Sequence, residues 1–243
     1  MQKTRIRLLS DLHLELHDLS KSAIFFKKDA DIVILAGDIG NPFHENYTNL
    51  IQMLSMSHEK VIIIAGNHEY YSSKSIEEIN NKIKEHCEDD VHFLQKDTLT
   101  YRGIKFVGCT LWSSPSDVTL CKYMNDFHKI KDMTPECYEL AHQSDKEWLR
   151  DELAKDDPNK VCVITHHLPS KRLVGAKYAN DPINSFFASD TFDDIDHSNV
   201  DVWCYGHTHI VSKNNISGVD FYCNPRGYSH ESSGWNIDSV FEL

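Results

Sequence analysis

No apolar run in this chain approaches the roughly twenty residues that a bilayer-spanning helix needs, so no membrane partner is expected. There is no Cys-x-x-Cys pair either. The seven cysteines, Cys87, Cys109, Cys121, Cys137, Cys162, Cys204 and Cys223, are odd in number and scattered. Lys3, Arg5 and Arg7 lead straight into the first apparent strand without a signal-peptide apolar region. Together these absences set the expectation of reduced thiols and a cytoplasmic location. Cys109, Cys162, Cys204 and Cys223 fall in apparent strands and read as small buried hydrophobes. A basic stripe is also missing, and 37 Asp and Glu outnumber 25 Lys and Arg to give a formal charge of −12. Non-specific nucleic-acid binding depends on clustered positive charge, which argues against long nucleic acid and leaves small nucleotides open. The run at 190–196 is acidic, and a solvated loop or helix start explains it. Finally, there is no low-complexity linker and no solenoid-length repeat. With 243 residues, 40% of them hydrophobic, the expectation is one domain over 1–243 with a full-sized core.

What the chain does have is five short polar clusters, each placed just after an apolar run. They are Asp11-Leu12-His13, Gly37-Asp38, Gly66-Asn67-His68-Glu69, His166-His167 and Gly206-His207-Thr208-His209. The preceding runs, 6–9, 32–36, 61–65, 161–164 and 202–205, read as buried parallel strands. In an open α/β sheet, residues just past the carboxyl ends of parallel strands gather in one crevice. Five strand ends would thus deliver two Asp, one Asn and four or five His to one place. Carboxylate, amide and imidazole suit hard-to-borderline divalent metals. They are too many for one ion and fit two ions that share a bridge, which points to a two-metal hydrolase. Any single cluster has an ordinary reading, since Asp at a strand end commonly starts a turn or caps a helix. The order and context of all five carry the argument. Gly206-His207-Thr208-His209 is the sharpest, because it sets two imidazoles on one side of an extended segment.

With these motifs in this order, the chain resembles the calcineurin-like metallophosphoesterases, from Ser10-Asp11-Leu12-His13 to Asn224-Pro225-Arg226-Gly227-Tyr228. Within that superfamily it is most similar to small stand-alone phosphoesterases, through stretches such as Cys109-Thr110-Leu111-Trp112, Met124-Asn125-Asp126-Phe127 and Thr165-His166-His167. The resemblance implies an α/β fold, a four-layer α/β/β/α sandwich of two mixed sheets flanked by helices, with a dinuclear centre at one end. It implies that one metal takes Asp11, His13 and His209, that the other takes Asn67, His166 and His207, and that Asp38 bridges them. In this scheme His68 stays off the metals and protonates the leaving oxygen, while a metal-bridging hydroxide attacks phosphorus in line. The first histidine of the 166–167 pair is the family's ligand, and strand direction decides between His166 and His167. The two divalent ions could be Mn, Fe, Zn, Ni or Mg, all of which accept this N/O set.

The chain departs from the superfamily's protein Ser/Thr phosphatase branch, which carries an Arg before its Gly-Asn-His-Glu and an Asp-Arg-Gly run after its Gly-Asp. Here Ala65 precedes Gly66, and Ile39-Gly40-Asn41-Pro42 follows Asp38. Two guanidiniums able to grip a phosphomonoester as forks are therefore absent. That disfavours a protein phosphatase of this type and favours a diester or another small phosphorylated substrate. Arg226 stands elsewhere and could reach the phosphate, although a surface Arg beside a turn reads the same way. A nuclease and a non-catalytic binding scaffold on the same fold are the alternatives. Neither the oligomeric state nor the physiological substrate follows from the sequence.

Further along, helical patterns occupy 47–56 and 75–87, with Ser73 or Ser75 as the cap of the latter. Residues 98–101 and 104–109, joined by Arg102-Gly103, read as a hairpin. Residues 113–135 lack periodicity and leave from a strand end, so they are expected to cross the mouth of the site. A helix over 136–155 follows, and 169–190 forms a second irregular stretch beside His166. Such long loops in compact domains tend to be functional. Trp112 and Trp148 read as core residues. A strand at 219–223 and a last one at 239–243 close the chain.

Overall fold

The computed structural model describes residues 3–17 and 27–243. The chain runs through β1 (Arg5–Leu9), β2 (Ile32–Ala36), α1 (Glu45–Ser55), β3 (Lys60–Ile64), α2 (Ile76–Lys84), β4 (Val91–Phe93), β5 (Asp97–Tyr101) and β6 (Ile104–Gly108). It continues through α3 (Asp126–Lys129), α4 (Pro135–Leu153), β7 (Lys160–Ile164), α5 (Thr191–Asp194), β8 (Val202–Tyr205), β9 (Ser212–Ile216), β10 (Val219–Cys223) and β11 (Val240–Glu242).

The five apolar runs are parallel strands, but they do not share one sheet. β1, β2 and β3 lie in a five-stranded sheet of order β11-β1-β2-β3-β4, whereas β7 and β8 lie in a six-stranded sheet of order β5-β6-β7-β8-β10-β9. Both sheets are mixed: β11 pairs antiparallel with β1, and β5 and β9 are antiparallel edges of the second. The alternation of side chains along each strand builds three apolar layers. Ile6, Leu8, Ile32 and Ile34 face Phe106, Cys162, Ile164 and Cys204 between the sheets. Their neighbours Leu9, Val33, Leu35 and Ile63 turn outward onto Tyr47, Leu50 and Leu54 of α1 and Ile79 and Ile83 of α2. On the far side, Val107, Val163 and Trp203 meet Leu149 and Leu153 of α4. The result is the four-layer α/β/β/α sandwich.

Local chemistry sets the element ends. Ser75 caps α2 with a full capping box, its side chain accepting from Glu78 N while Glu78 reaches back to the Ser75 backbone. Thr134 accepts from Cys137 N ahead of Pro135, which starts α4. Arg102 and Gly103 both take positive φ, 50° and 74°, as a two-residue primed hairpin turn demands. Two strands escape the pattern. β4 is too short, at three residues, for its Val91 and Phe93 alternation to register, and β9 reads Ser-Lys-Asn-Asn-Ile with its middle exposed and carries no apolar period. Trp112 is buried in the layer under α1 and α2, and Trp148 of α4 packs half-buried on the layer outside the six-stranded sheet. Cys109, Cys162, Cys204 and Cys223 are all buried. No described helix is long and apolar enough to cross a membrane.

Candidate metal centre and substrate cleft

The two facing sheets are tied together just past the carboxyl ends of their parallel strands. Ser10 bridges Pro225 there, and Arg226 N and Gly227 N donate to Ser10 O and Asp11 O at 3.0 Å each. His207 N donates to both oxygens of Asp11, at 3.0 and 3.1 Å, so the loop after β8 is tied to the loop after β1. His68 N donates to Asp38 Oδ1 at 2.8 Å. A Cβ on Gly66 would collide with Asp38 Oδ1, and one on Gly37 with His166 Nδ1, so both positions need the smallest residue for the loops to close this tightly. Asp11, His13, Asp38, His207 and His209 all sit at positive φ, between 48° and 66°. Left-handed backbone costs non-glycine residues about 1–3 kcal/mol each and collects at functional sites. Five cases in one crevice mark it as such a site.

The side chains form two groups. In the first, His13 Nε2 lies 3.1 Å from His209 Nε2, which is 3.3 Å from Asp11 Oδ1. In the second, His166 Nε2 lies 3.1 Å from His207 Nδ1, 3.1 Å from Asn67 Oδ1 and 3.3 Å from Asp38 Oδ1. The other oxygen of Asp38 is 3.9 Å from His13 Nε2. One carboxylate thus faces both groups. Asp11-His13-His209 and Asp38-His166-His207 each bring one donor atom per residue within 4.8 Å of the others, a spacing that a metal ion can span.

The outer nitrogens of three imidazoles are occupied, which leaves the inner ones for the site. His166 Nδ1 donates to Ala36 O at 2.9 Å, His13 Nδ1 to Glu15 Oε1 at 3.0 Å, and His209 Nδ1 to Glu231 Oε2 at 2.6 Å. The amide of Asn67 is oriented in the same way, because its Nδ2 donates to Asp126 Oδ1 at 2.9 Å and to Tyr71 Oη at 3.1 Å. Glu69 is buried behind the site and accepts from the backbone N–H groups of Asp38, Ile39, Gly40 and Gly66. It therefore clamps the loops after β2 and β3. Burial and the nearby Asp38 push its pKa up to about 7.

Burial opposes ionisation of Asp11 and Asp38, yet the surrounding imidazoles hold both carboxyls below their usual range. Burial likewise opposes a charge on His166 and His209, but the facing carboxylates outweigh it and push their pKa values up to about 10 and about 9. The crevice therefore attracts positive charge. His207 is fully desolvated and held neutral, well below the ordinary histidine range.

Strand direction separates the histidine pair after β7. His166 points into the second group. His167 turns away, with Nε2 3.3 Å from Tyr138 Oη and its ring 5.3 Å from that of Trp112. His68 stands at the rim of the crevice, Nδ1 2.9 Å from Glu15 Oε1 and Nε2 4.0 Å from Asp38 Oδ2. Burial lowers its pKa and the two carboxylates overcome that, for a net rise. Arg226 does not line the crevice. It borders a neighbouring depression with its guanidinium 5.6 Å from the Trp235 ring centre, behind Tyr228 and Glu231.

Above the two groups opens a cleft of about 980 Å³. Asp38, Asn67, His68, His207 and His209 line its floor, while Tyr123, Met124 and Asn125 come from the 113–135 segment. Val174, Tyr178, Ile183 and Phe187 come from the 169–190 segment. Both irregular stretches therefore flank the site. Among the described residues that line it, Lys177 is the one Lys or Arg. Sequence reasoning missed Glu15, Asp126, Tyr71 and Glu231, which act through hydrogen bonds that no spacing rule announces. Asp126, inside the Met124-Asn125-Asp126-Phe127 stretch that carries the resemblance, offered the nearest signal.

Comparison with known proteins agrees with this geometry. The sequence model described as calcineurin-like phosphoesterase matches residues 4–211. An uncharacterized protein of Acanthamoeba polyphaga mimivirus is 33% identical over 270 aligned positions, covering 98% of this chain and 96% of that protein. Among solved structures, a phosphopantetheinyl hydrolase from Mycobacterium tuberculosis superposes with a TM-score of 0.75 at 18% identity, covering 99% of this chain and 96% of that one. A dimetal phosphatase from Danio rerio superposes with a TM-score of 0.52 at 14% identity, covering 90% and 86%. At these identities the two structures establish a shared fold.

Proposed function

Because the chain belongs to the calcineurin-like phosphoesterase family, we propose that it is a two-metal phosphoesterase that hydrolyses phosphodiester or phosphomonoester bonds of a small or nucleotide-like substrate. The observation that carries this reading is Asp38, whose two oxygens face two separate donor groups. The donor chemistry fits a pair of divalent cations. With a cation in place of the proton on His166, Nε2 and Asn67 Oδ1 would both present lone pairs across 3.1 Å, since the outer nitrogen of that ring already donates to Ala36 and the amide nitrogen is engaged elsewhere. Two lone pairs at that distance suit a shared cation. Asp11, His13 and His209 would hold one ion, Asn67, His166 and His207 the other, and Asp38 both. No thiol is involved, so Mn, Fe, Zn, Ni and Mg all suit this N/O set, and manganese is the first to try.

When bound, such a pair supplies Lewis acidity and a nucleophile at neutral pH. The chain's own residues do the rest. Asn67 contributes a neutral oxygen, which limits the negative charge facing an anionic substrate. His68, outside both groups and hydrogen-bonded to Glu15, is positioned to give its Nε2 proton to the leaving oxygen, an effect worth typically 10²–10⁴-fold. The apolar and aromatic walls of the cleft exclude water and contact the organic part of the ester. A cleft with one Lys and no Arg among its described lining residues, on a chain of charge −12, suits a small phosphorylated compound better than long nucleic acid. All seven cysteines are unpaired, which supports a reducing, cytoplasmic setting.

The test is turnover of bis(p-nitrophenyl) phosphate by metal-replete protein, with chelator as control and elemental analysis alongside. We expect up to two ions per chain, and Asp38→Asn should weaken both sites and abolish turnover. Activity retained with one ion or none would refute the two-metal reading.

A further inference from the structure

One hydroxyl on the cleft wall has no role in the scheme above. The ring of Tyr228 lies against two donor residues of the first group, 4.6 Å from His13 and 4.7 Å from His209 between ring centres. Its hydroxyl is 3.3 Å from His68 Nε2. Its backbone N–H donates to Glu231 Oε2 at 2.7 Å, the same oxygen that binds His209 Nδ1. A single carboxylate oxygen thus fixes the tyrosine and the imidazole relative to each other, and Tyr228 shares the cleft lining with Asp38 and His68.

A phosphoryl group bound here has oxygens that need hydrogen-bond donors besides the ions. Arg226 is on the far side of the Tyr228 and Glu231 wall. Lys177 is exposed, with its ammonium 5.0 Å from the Tyr178 ring centre. Neither the residue before Gly66 nor the residues after Asp38 supply a guanidinium. Tyr228 Oη is the donor that stands beside the proposed acid and over the first metal group.

We propose that the Tyr228 hydroxyl is a specificity-determining contact that donates to a non-bridging oxygen of the substrate's phosphoryl group. A neutral donor matches a singly charged phosphodiester, whereas a doubly charged monoester gains more from a guanidinium fork. The inference rests on the phosphoesterase reading and names the charge class of its substrate, an uncharged-donor site for monoanionic esters.

Tyr228→Phe removes one oxygen and keeps the ring that packs on His13 and His209, so it isolates the contact. Its kcat and KM are measured on bis(p-nitrophenyl) phosphate and p-nitrophenyl phosphate, together with metal content and thermal midpoint. The expected result is a 10- to 100-fold lower kcat/KM for the diester, with metal content and midpoint unchanged. Tyr228→Arg should shift the diester-to-monoester ratio at least tenfold toward the monoester. Diester kcat/KM of Tyr228→Phe within threefold of the parent overturns the assignment. So does a loss that tracks lost metal, because the tyrosine would then be holding the imidazoles. If the metal-loaded parent hydrolyses neither ester, the phosphoesterase reading itself has failed. An active parent with an indifferent Tyr228→Phe refutes the tyrosine alone.

Discussion

Removing the carboxylate of Asp126 should weaken one metal site and spare the other. Asp126 is 1% exposed, and its Oδ1 accepts from Asn67 Nδ2 at 2.9 Å and from Tyr71 Oη at 2.7 Å. Those bonds turn the amide of Asn67 so that its oxygen, not its nitrogen, faces His166. In Asp126→Ala, the buried amide nitrogen keeps Tyr71 as its partner and loses the carboxylate, so the amide is free to rotate. Losing an outer partner of a metal ligand typically costs 10- to 100-fold in affinity, or about 1.4–2.7 kcal/mol. The loss should fall on the ion proposed for Asn67, His166 and His207, because no hydrogen bond connects Asp126 to Asp11, His13 or His209 among those described. Asp126→Asn can still present an oxygen to Asn67 and should retain affinity within about threefold, since the acceptor survives. The assay is a chelator-competition titration of each variant with manganese, read as ions retained per chain. Two-step release in which only one step moves is the expected outcome. Equal weakening of both steps, or no change in either, would refute the argument that Asp126 orients Asn67.

Three further outcomes follow from the same geometry. His68→Asn should keep its metals but lower kcat, most for alkyl esters with poor leaving groups and least for p-nitrophenyl esters; equal loss on both would make His68 a positioning group. Asp145, buried and accepting from Leu111 N at 2.9 Å, has its pKa raised by burial to about 6. The native state therefore holds a proton that the unfolded chain has released between about pH 4 and 6, and stability falls as pH rises through that window. Asp145→Asn should gain on the parent by roughly 3 kcal/mol from pH 4 to 7 in urea unfolding, following about 1.4 kcal/mol per pH unit; parallel stability curves would contradict this. Shortening 113–135 while keeping Asp126 should alter substrate preference more than metal retention, because Tyr123, Met124 and Asn125 line the cleft and none of them belongs to either donor group.

The donor residues were legible in the sequence because parallel strands constrain both ends of the problem. In Ile32–Ala36, buried on both faces, every side chain is apolar, so chemistry is displaced to the residues just past its carboxyl end. Asp38 is there for that reason, and Asp11, Asn67, His166 and His207 occupy equivalent places. The division of the strands between two sheets was not legible from the runs alone, because strands look the same whichever sheet receives them; the superfamily resemblance supplied it. The edge strand Ser212–Ile216 was hidden for the opposite reason. With one partner and an exposed middle, it has no need of an apolar pattern.

The outer hydrogen bonds were illegible because they depend on approach in space, not on position in the chain. Glu231 reaches His209 across 22 residues, and Asp126 reaches Asn67 across 59. Arg226 illustrates the same point in reverse. It lies two residues from Tyr228, but successive residues in an extended segment point to opposite faces and alternate ones share a face only when the backbone stays extended. Gly227, at φ 73° between them, breaks that alternation. The turn sends the tyrosine into the cleft and leaves the guanidinium on Trp235, a placement that residue spacing in the chain does not announce. Where a phosphate-binding cation is missing from its expected place, the structure directs the search to neutral donors that the backbone carries into the cleft.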